Sequence, residues 1–201
     1  MKTVYFLLTL LTFFTCGQKE IENESSVPNT FEDKLSAAAI SIIDDKVVYT
    51  PTYVSIKYPN GDVPPKTGVC SDVVIRSYRK LGIDLQKEVH EDMINNFSKY
   101  PKIWGMSKTD TNIDHRRVPN LEVFFGRKGQ TLPITNDGSN YKTGELVTWI
   151  IGNKYPHIGI VTNKKSSDGN RPMIVHNVGA GQVLEDCLFD WKIVGHFKYE
   201  K

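Results

Sequence analysis

The chain has 201 residues, of which 39% are hydrophobic and 24% are charged, and these proportions are typical of one soluble globular domain with a sizeable core. Its formal net charge of +2 and the lack of a basic stripe in the sequence give no reason to expect a nucleic-acid partner. The three cysteines, Cys16, Cys70 and Cys187, have no CxxC spacing, which argues against a zinc knuckle or a thioredoxin-like motif.

The N-terminus has the pattern of an export signal. Lys2 precedes an apolar run over residues 4–14, which is too short to span a bilayer, and Cys16 comes directly after that run and Thr15. Such a cysteine resembles the lipid-accepting residue of bacterial lipoproteins; ordinary signal cleavage, with Cys16 incidental, is the alternative. We therefore expect residues 1–16 to be a lipoprotein-type signal peptide ending at Cys16. The mature protein is expected to be exported, periplasmic and anchored to a membrane, in a compartment that permits disulfides.

Polar residues without periodicity cover positions 17–32 and predict a flexible tether, which leaves residues 33–201 as the domain. A helix is predicted over residues 30–43, because Thr30 can cap its first turn and its apolar residues share one face. The Pro, Asn and Gly of residues 58–65 then predict a loop.

The predicted fold follows from two further helices and from the change to strand-like runs in the last third of the chain. One helix begins at Cys70 and ends at Gly82, and residues 85–97 form the next. Residues 98–120 lack a regular pattern. Short β-rich runs follow in the last third of the chain, at residues 145–151, 157–162, 172–176 and 193–199. This order predicts an α+β fold, with N-terminal helices packed on a C-terminal antiparallel sheet.

Cys70 is the residue that points to chemistry. A thiol at a helix start meets unpaired N–H groups and the positive end of the helix dipole, and both favour the thiolate. Two histidines, His157 and His176, follow on later predicted strands. A thiol at a helix start and histidines on later strands are the residues that a cysteine hydrolase uses as nucleophile and base.

The hairpin that carries the histidines predicts a contact between them. If its strands fold about residues 166–167, His157 lies opposite His176, with a register uncertain by a residue or two. One imidazole can then orient the other through a ring nitrogen. Gly159 points to the same side as His157 and leaves room beside its ring.

These motifs, in this order, resemble the NlpC/P60 superfamily of papain-like cysteine hydrolases. One branch is closer: between residues 35 and 200 the chain resembles the DUF1287 family, also called YijF-like. The segments that carry this resemblance are residues 53–55, 58–62, 67–78, 90–92, 112–120, 175–177 and 191–199. The superfamily implies a papain-like, NlpC/P60-type fold.

The resemblance also implies roles for individual residues. Cys70 matches the nucleophile, His157 the general base and His176 the third, orienting residue. Tyr58 matches a tyrosine beside the active site, and we expect it to assist the Cys70 N–H in stabilising an oxyanion. The sequence departs from the family pattern after the nucleophile, where Asp72 stands in place of a glycine.

Several other polar residues are candidates for binding the oxyanion or the substrate. Adjacent arginines can bind the carboxylates of an anionic substrate such as a peptidoglycan stem peptide, or they can belong to a structural network that holds a loop. The candidates are Ser71, Asp72, His115, Arg116, Arg117 and Asn177.

Competing interpretations remain for each catalytic candidate. Cys70 can instead form a disulfide with Cys187. His157 can be a core histidine, and Asn177 competes with His176 as the third residue. A metal site built from the two histidines and Asp72 is a further alternative.

The resemblance implies a cell-envelope cysteine amidase or peptidase that cleaves amide bonds in peptidoglycan stem peptides through a Cys-His-His triad. In that mechanism a thiolate–imidazolium pair attacks the amide carbonyl. The alternatives are a thiol enzyme of the same fold acting on lipid or acyl-amide substrates, and a non-catalytic envelope-binding module. No sequence feature demands a metal or an organic cofactor, and we expect a monomer whose partners are the envelope substrate and the membrane.

Overall fold

A computed structural model describes residues 29–201, which form a mixed α and β structure. Its four α-helices are α1 (Phe31–Ser41), α2 (Cys70–Lys80), α3 (Leu85–Asn96) and α4 (Val118–Lys128). Its strands are β1 (Val48–Tyr49), β2 (Thr67–Gly68), β3 (Gln130–Thr131), β4 (Leu146–Ile151), β5 (Tyr155–Lys165), β6 (Pro172–His176), β7 (Val183–Glu185) and β8 (Lys192–Lys198). Short 3-10 turns cover Phe97–Lys99, Asp114–Arg116 and Gly138–Asn140. The predicted α+β class is therefore confirmed.

The strands form two sheets. The larger has six strands in the order β3-β8-β4-β5-β6-β7, and all its pairs are antiparallel. In the smaller sheet, β1 and β2 pair in parallel, which places Tyr49 beside Gly68, just before Cys70. No helix among residues 29–201 is both long enough and apolar enough to cross a membrane.

The start of α1 follows from its capping residue. Thr30 Oγ1 accepts the Asp33 N–H at 3.1 Å, so one of the unpaired donors of the first turn is satisfied. The helix begins at Phe31, and the predicted tether over residues 17–32 is therefore two residues too long at its end. The expected signal peptide and the expected lipid attachment to Cys16 lie outside the described residues.

The next two helices agree with prediction, and the fourth does not. Gly82, with φ of +81°, ends α2 in the left-handed conformation that glycine adopts most easily. The stretch 98–120, predicted to be irregular, contains the start of α4 at Val118. Pro119 is compatible with a helix there because the first turn needs no N–H donor. The short strand β7 was also not predicted.

The large sheet is covered on both faces. Alternate residues of its central strands, such as Ile158 and Val175, pack against the helices. Their neighbours, such as Val161 and Ile174, form a second cluster on the other face with Trp149 and side chains from the turn after β7. Cys70 belongs to the cluster on the helical side of the sheet, whereas Cys187 belongs to the cluster on the other face.

The register of β5 against β6 differs from the predicted one by two residues. Ile160 pairs with Val175, so His176 lies opposite Gly159, and His157 is its diagonal neighbour. A slip of one residue would have sent the histidines to different faces, whereas a slip of two keeps them on the same face. The predicted direct opposition was wrong, but the predicted contact between the two imidazoles is present.

Candidate active site

Cys70 is the first residue of α2 and is almost completely buried. The backbone N–H groups of Ile158, Ser71 and Cys70 itself lie close enough to its sulfur to lower the pKa. Asp72 supplies the helix cap, since its Oδ2 accepts the Val69 N–H at 2.7 Å. The thiol thus lies between the start of α2 and the backbone of β5, beside Ile158, the neighbour of His157 in the chain.

Burial outweighs the helix terminus at this thiol. Desolvation is the largest influence on Cys70 and raises its pKa to about 11, with the Asp72 carboxylate acting in the same direction. Cys70 is therefore a neutral thiol at neutral pH. The expectation of a thiolate at rest is wrong for this geometry. Loss of hydration destabilises the thiolate more than the neighbouring N–H groups stabilise it.

A cavity of about 400 Å³ opens at Cys70. Four kinds of side chain line it beside Cys70: aromatic rings, prolines, aliphatic side chains and two cations. They are Tyr49, Tyr53, Trp104, Pro51, Pro119, Pro156, Arg116 and Arg117, together with Val69, Ile113 and Val118. The cavity is therefore mostly apolar with positive charge on its wall, a combination suited to binding an organic ligand.

The tyrosine beside Cys70 is Tyr49. Burial, the Cys70 thiol and the Asp72 carboxylate raise the pKa of Tyr49 to about 12, so its hydroxyl remains a hydrogen-bond donor. Tyr58, expected in this place, instead packs edge-on against His90 with ring centroids 5.1 Å apart, and it does not line the cavity. The parallel pairing of β1 with β2 brings Tyr49 here, and only that long-range pairing could have revealed it.

The two histidines are in direct contact. His157 Nε2 lies 2.9 Å from His176 Nδ1, and both rings are buried on the sheet face that points away from the helices. Trp149 and Trp191 pack against His157, with ring centroids 5.8 and 5.5 Å away. His176, rather than Asn177, is therefore the group that contacts the candidate base.

A carboxylate extends this pair into a chain. His176 Nε2 lies 2.9 Å from Glu185 Oε2. A carboxylate only accepts, so the hydrogen bonds assign the proton of His176 to Nε2, and its Nδ1 accepts from His157 Nε2–H. That assignment leaves the lone pair of His157 at Nδ1. Glu185 comes from β7, and no local signal in the sequence marked it as a site residue.

His157 is a neutral imidazole in this setting. Burial is the main cause, and with the adjacent His176 it lowers the pKa of His157 to about 3. Within residues 29–201 no hydrogen bond joins the Cys70 thiol to the His157 ring. The elements that carry them are adjacent, because Pro156 lines the Cys70 cavity and the Ile158 N–H lies close to the sulfur.

Asp72, Ser71 and Arg116 form a buried structural network. Arg116 Nε and Nη2 each lie 2.9 Å from a carboxylate oxygen of Asp72, and both side chains are at most 3% exposed. Ser71 Oγ donates to the Arg116 carbonyl at 2.8 Å. Of these three residues, predicted to bind substrate or oxyanion, only Arg116 lines the cavity, and Asp72 occupies its guanidinium.

Of the two arginines in the cavity wall, Arg117 is more available to a ligand than Arg116, which is paired with Asp72. Its guanidinium lies 4.2 Å from the centre of the Trp104 ring, and its side chain is 18% exposed. The carboxylate 3.9 Å away belongs to Asp114, whose pKa is raised by burial to about 6. Arg117 can therefore meet an anionic group that enters the cavity.

Two other predicted binding residues do not line the cavity. His115 is buried, and burial together with Arg116 lowers its pKa to about 3, so it is no cation for an anionic substrate. Asn177 is also buried, and its Oδ1 accepts the Gly179 N–H at 3.0 Å.

Two competing interpretations fail on position. Cys70 and Cys187 are both free thiols and belong to clusters on opposite faces of the sheet, so they form no disulfide. Asp72 is paired with Arg116 and is not brought to the histidines. A different group of possible metal ligands lies at His176, with Glu185 and Cys187.

Comparison with known proteins agrees with the family resemblance. The model of the family described as "Domain of unknown function (DUF1287)" matches residues 36–199. The chain is also 44% identical over 206 residues to the "Uncharacterized protein YijF" of Escherichia coli (strain K12), covering 99% of this chain and 98% of that protein. This protein therefore belongs to the DUF1287 family.

Proposed function

We propose that this protein is a cysteine hydrolase of the cell envelope, with an NlpC/P60-type papain-like fold, that cleaves amide bonds in peptidoglycan stem peptides. One observation carries the proposal. The Cys70 thiol lies at a helix start, at an open cavity, against the strand whose His157 contacts His176 at 2.9 Å. Nucleophile, base and orienting group thus come from adjacent elements.

The reaction begins from a neutral pair. His157 Nδ1 takes the Cys70 proton as the sulfur attacks the amide carbonyl, so that an S–C bond forms and the carbonyl electrons move onto oxygen. The His157 ring lies on the sheet face opposite to Cys70, so this step needs a rearrangement that brings Nδ1 to hydrogen-bond distance of the sulfur, and catalytic contacts often form fully only when substrate binds. His176 and Glu185 hold the proton of His157 on Nε2, which keeps Nδ1 available.

Collapse of the tetrahedral intermediate completes acylation. The Tyr49 hydroxyl and the Cys70 N–H donate to the oxyanion, in place of the expected Tyr58. The C–N bond then breaks, and His157 returns its proton to the leaving amine. Water attacks the thioester with His157 again as base, which releases the acid and restores the thiol.

The cavity wall supports a peptide carrying free carboxylates. Arg117 offers a cation beside the Trp104 ring, and the prolines and tyrosines around Cys70 provide apolar surface for side chains. Stem peptides combine these features. The expected export signal, if cleaved as predicted, would bring the domain to that substrate.

Two alternatives each have one observation in their favour. The mostly apolar wall of the cavity favours an acyl-amide or lipid substrate for the same thiol chemistry. The raised pKa of Cys70 favours a non-catalytic module that binds an envelope component in the cavity.

Mass spectrometry of peptidoglycan fragments incubated with the full chain tests these options. We expect new amine termini with the wild type, a loss of at least about a hundredfold in Cys70→Ala and His157→Ala, and retained cleavage in Cys187→Ser. Cleavage of long-chain acyl-amides alone would select the lipid alternative. Cleavage of neither substrate, or equal cleavage by Cys70→Ala, would contradict the proposed chemistry.

A further inference from the structure

We propose that His176, Glu185 and Cys187 form a binding site for a divalent transition metal, with Zn²⁺ as the best match. The three side chains offer one nitrogen, one oxygen and one sulfur, all within 4.8 Å of one another. They lie on the sheet face that points away from Cys70 and its cavity.

The distances suit a tetrahedral ion. Zn–N of about 2.0–2.1 Å and Zn–S of about 2.3 Å put nitrogen and sulfur about 3.5 Å apart in such a site. His176 Nε2 and Cys187 Sγ are 3.5 Å apart. Glu185 Oε2 lies 2.9 Å from the same nitrogen, and an oxygen ligand would have to move out to about 3.4 Å. The Glu185 side chain is 43% exposed and is free to make that small movement.

The surroundings meet the other requirements of a metal site. An imidazole, a thiolate and a carboxylate are ligands that Zn²⁺ accepts together, and a fourth position remains for water. The exposed side of Glu185 provides a route for the ion to enter. The second nitrogen of His176 is already fixed by His157 at 2.9 Å, which is the outer-shell support that metal-bound histidines commonly have.

Metal binding changes the proton positions in the histidine chain. The ion takes the Nε2 lone pair of His176 and the Cys187 thiolate, and the two protons that it displaces from these atoms pass to water. His157 then transfers its Nε2 proton across the 2.9 Å hydrogen bond to His176 Nδ1 and takes one proton from water on its own Nδ1, so both imidazoles stay neutral. That nitrogen can no longer accept the Cys70 proton. The metal-bound protein would therefore be the inactive form. This consequence rests on the proposed function, whereas metal binding itself does not.

Cobalt substitution tests the site without any substrate. We expect one Co²⁺ per full chain, with the absorption band of a cobalt–thiolate bond. The matched variants are the two buried cysteines on opposite sides of the sheet: Cys187→Ser should lose the band and Cys70→Ser should keep it. Glu185→Gln, at a half-exposed position that does not endanger folding, should weaken binding by about tenfold or more. Zn²⁺ should displace the cobalt.

The outcomes separate the two proposals. A chain that binds no cobalt stoichiometrically, or a band that survives in Cys187→Ser, overturns the metal site. If the band behaves as expected but no amide is cleaved by the metal-free chain, the proposed function fails alone. If the cobalt band behaves as expected and the metal-free chain cleaves an amide, one equivalent of Zn²⁺ should inhibit cleavage. Full cleavage at saturating Zn²⁺ would contradict the inference that the metal-bound form is inactive.

Discussion

At Cys70 two physical effects oppose each other. The start of α2 directs N–H groups at the sulfur and favours the anion, while burial removes the water that an anion needs. Burial is the larger effect, so the resting thiol is neutral. His157, whose pKa is lowered to about 3, is neutral as well. The proposed enzyme therefore starts from a thiol and a general base, and not from a preformed ion pair.

The pH dependence of Cys70 alkylation checks this state. A pKa raised to about 11 keeps the thiol protonated through neutral pH, so the reactive thiolate becomes abundant only as the pH approaches that value. At pH 8 we expect iodoacetamide to label Cys70 at least about tenfold more slowly than in the urea-unfolded chain, whose cysteines titrate near about 8.5. Peptide mass spectrometry assigns the label to Cys70. Labelling faster than in the unfolded chain would show a stabilised thiolate and contradict the prediction.

Tyr49 and Tyr58 form a matched pair for testing the oxyanion site. Tyr49→Phe removes the hydroxyl beside Cys70, and loss of one such donor usually lowers kcat by about 10²–10³ with little change in KM. Tyr58→Phe changes a ring that packs on His90, so cleavage should be unaffected. Steady-state kinetics on the cleaved peptidoglycan fragment measures both. A larger loss of kcat in Tyr58→Phe than in Tyr49→Phe would assign the oxyanion donor to Tyr58.

At the scale of elements, the close approach of β5 and β6 sets the histidine contact. Gly159 lies opposite His176, and a methyl group there would come within 2.5 Å of Ile174 and 3.2 Å of the His176 Cβ. Only glycine leaves the strands at their present separation. The contact between His157 and His176 therefore depends on Gly159, which takes no part in the proposed reaction.

Gly159→Ala should destabilise the fold and disturb the histidine pair. We expect a loss of about 1–3 kcal/mol in the free energy of unfolding from the overpacking. The control is Gly126→Ala on the exposed side of α4, where the nearest atom would be 3.5 Å away and helix propensity predicts a gain of about 0.5–1 kcal/mol. Urea denaturation measures both variants. Equal stability of the two would contradict the close packing at Gly159.

A buried ion pair joins α2 to the segment before α4. Asp72→Asn leaves the Arg116 guanidinium without its anion in a buried site, and we expect a loss of about 3–5 kcal/mol. Glu91→Gln breaks an exposed pair with Lys87 one turn away and should cost about 0.5 kcal/mol or less. Thermal unfolding at neutral pH distinguishes the two. A small effect of Asp72→Asn would indicate that the pair contributes no net stability.

For the whole molecule, the sheet separates two polar groupings. Cys70 and its cavity lie on the helical side, and the His176, Glu185 and Cys187 cluster lies on the other. The histidine pair is the link between them, because His157 is adjacent along β5 to the residue that contacts Cys70. A covered sheet of this kind keeps the two thiols apart even in an oxidising compartment.

This separation predicts that Cys70 and Cys187 form no bond with each other. After air oxidation of the folded full chain, mass spectrometry of an unreduced digest should find no Cys70–Cys187 crosslink. The melting temperature should be the same with and without reductant. A stabilisation of a few degrees that reductant abolishes would reveal a crosslink and contradict the arrangement.

Local signals explain what was predictable at the scale of single elements. Thr30 begins α1 through its own side chain, and Gly82 ends α2 through its own backbone freedom. β6 coincides with the predicted run at residues 172–176, because a short apolar run between turn residues is a local pattern. The period-two alternation also placed His157 and Gly159 of the same strand on one sheet face.

The sequence by itself determined the α+β class and the start of the Cys70 helix, and it predicted the contact between the two histidines. Only the tertiary structure decided that Tyr49 replaces Tyr58, that Glu185 extends the histidine chain and that Cys70 is a neutral thiol. The physical reason is the same in each case. Capping, turns and periodicity act between neighbours in the chain, whereas pairing of distant strands and exclusion of water depend on which residues the fold brings together.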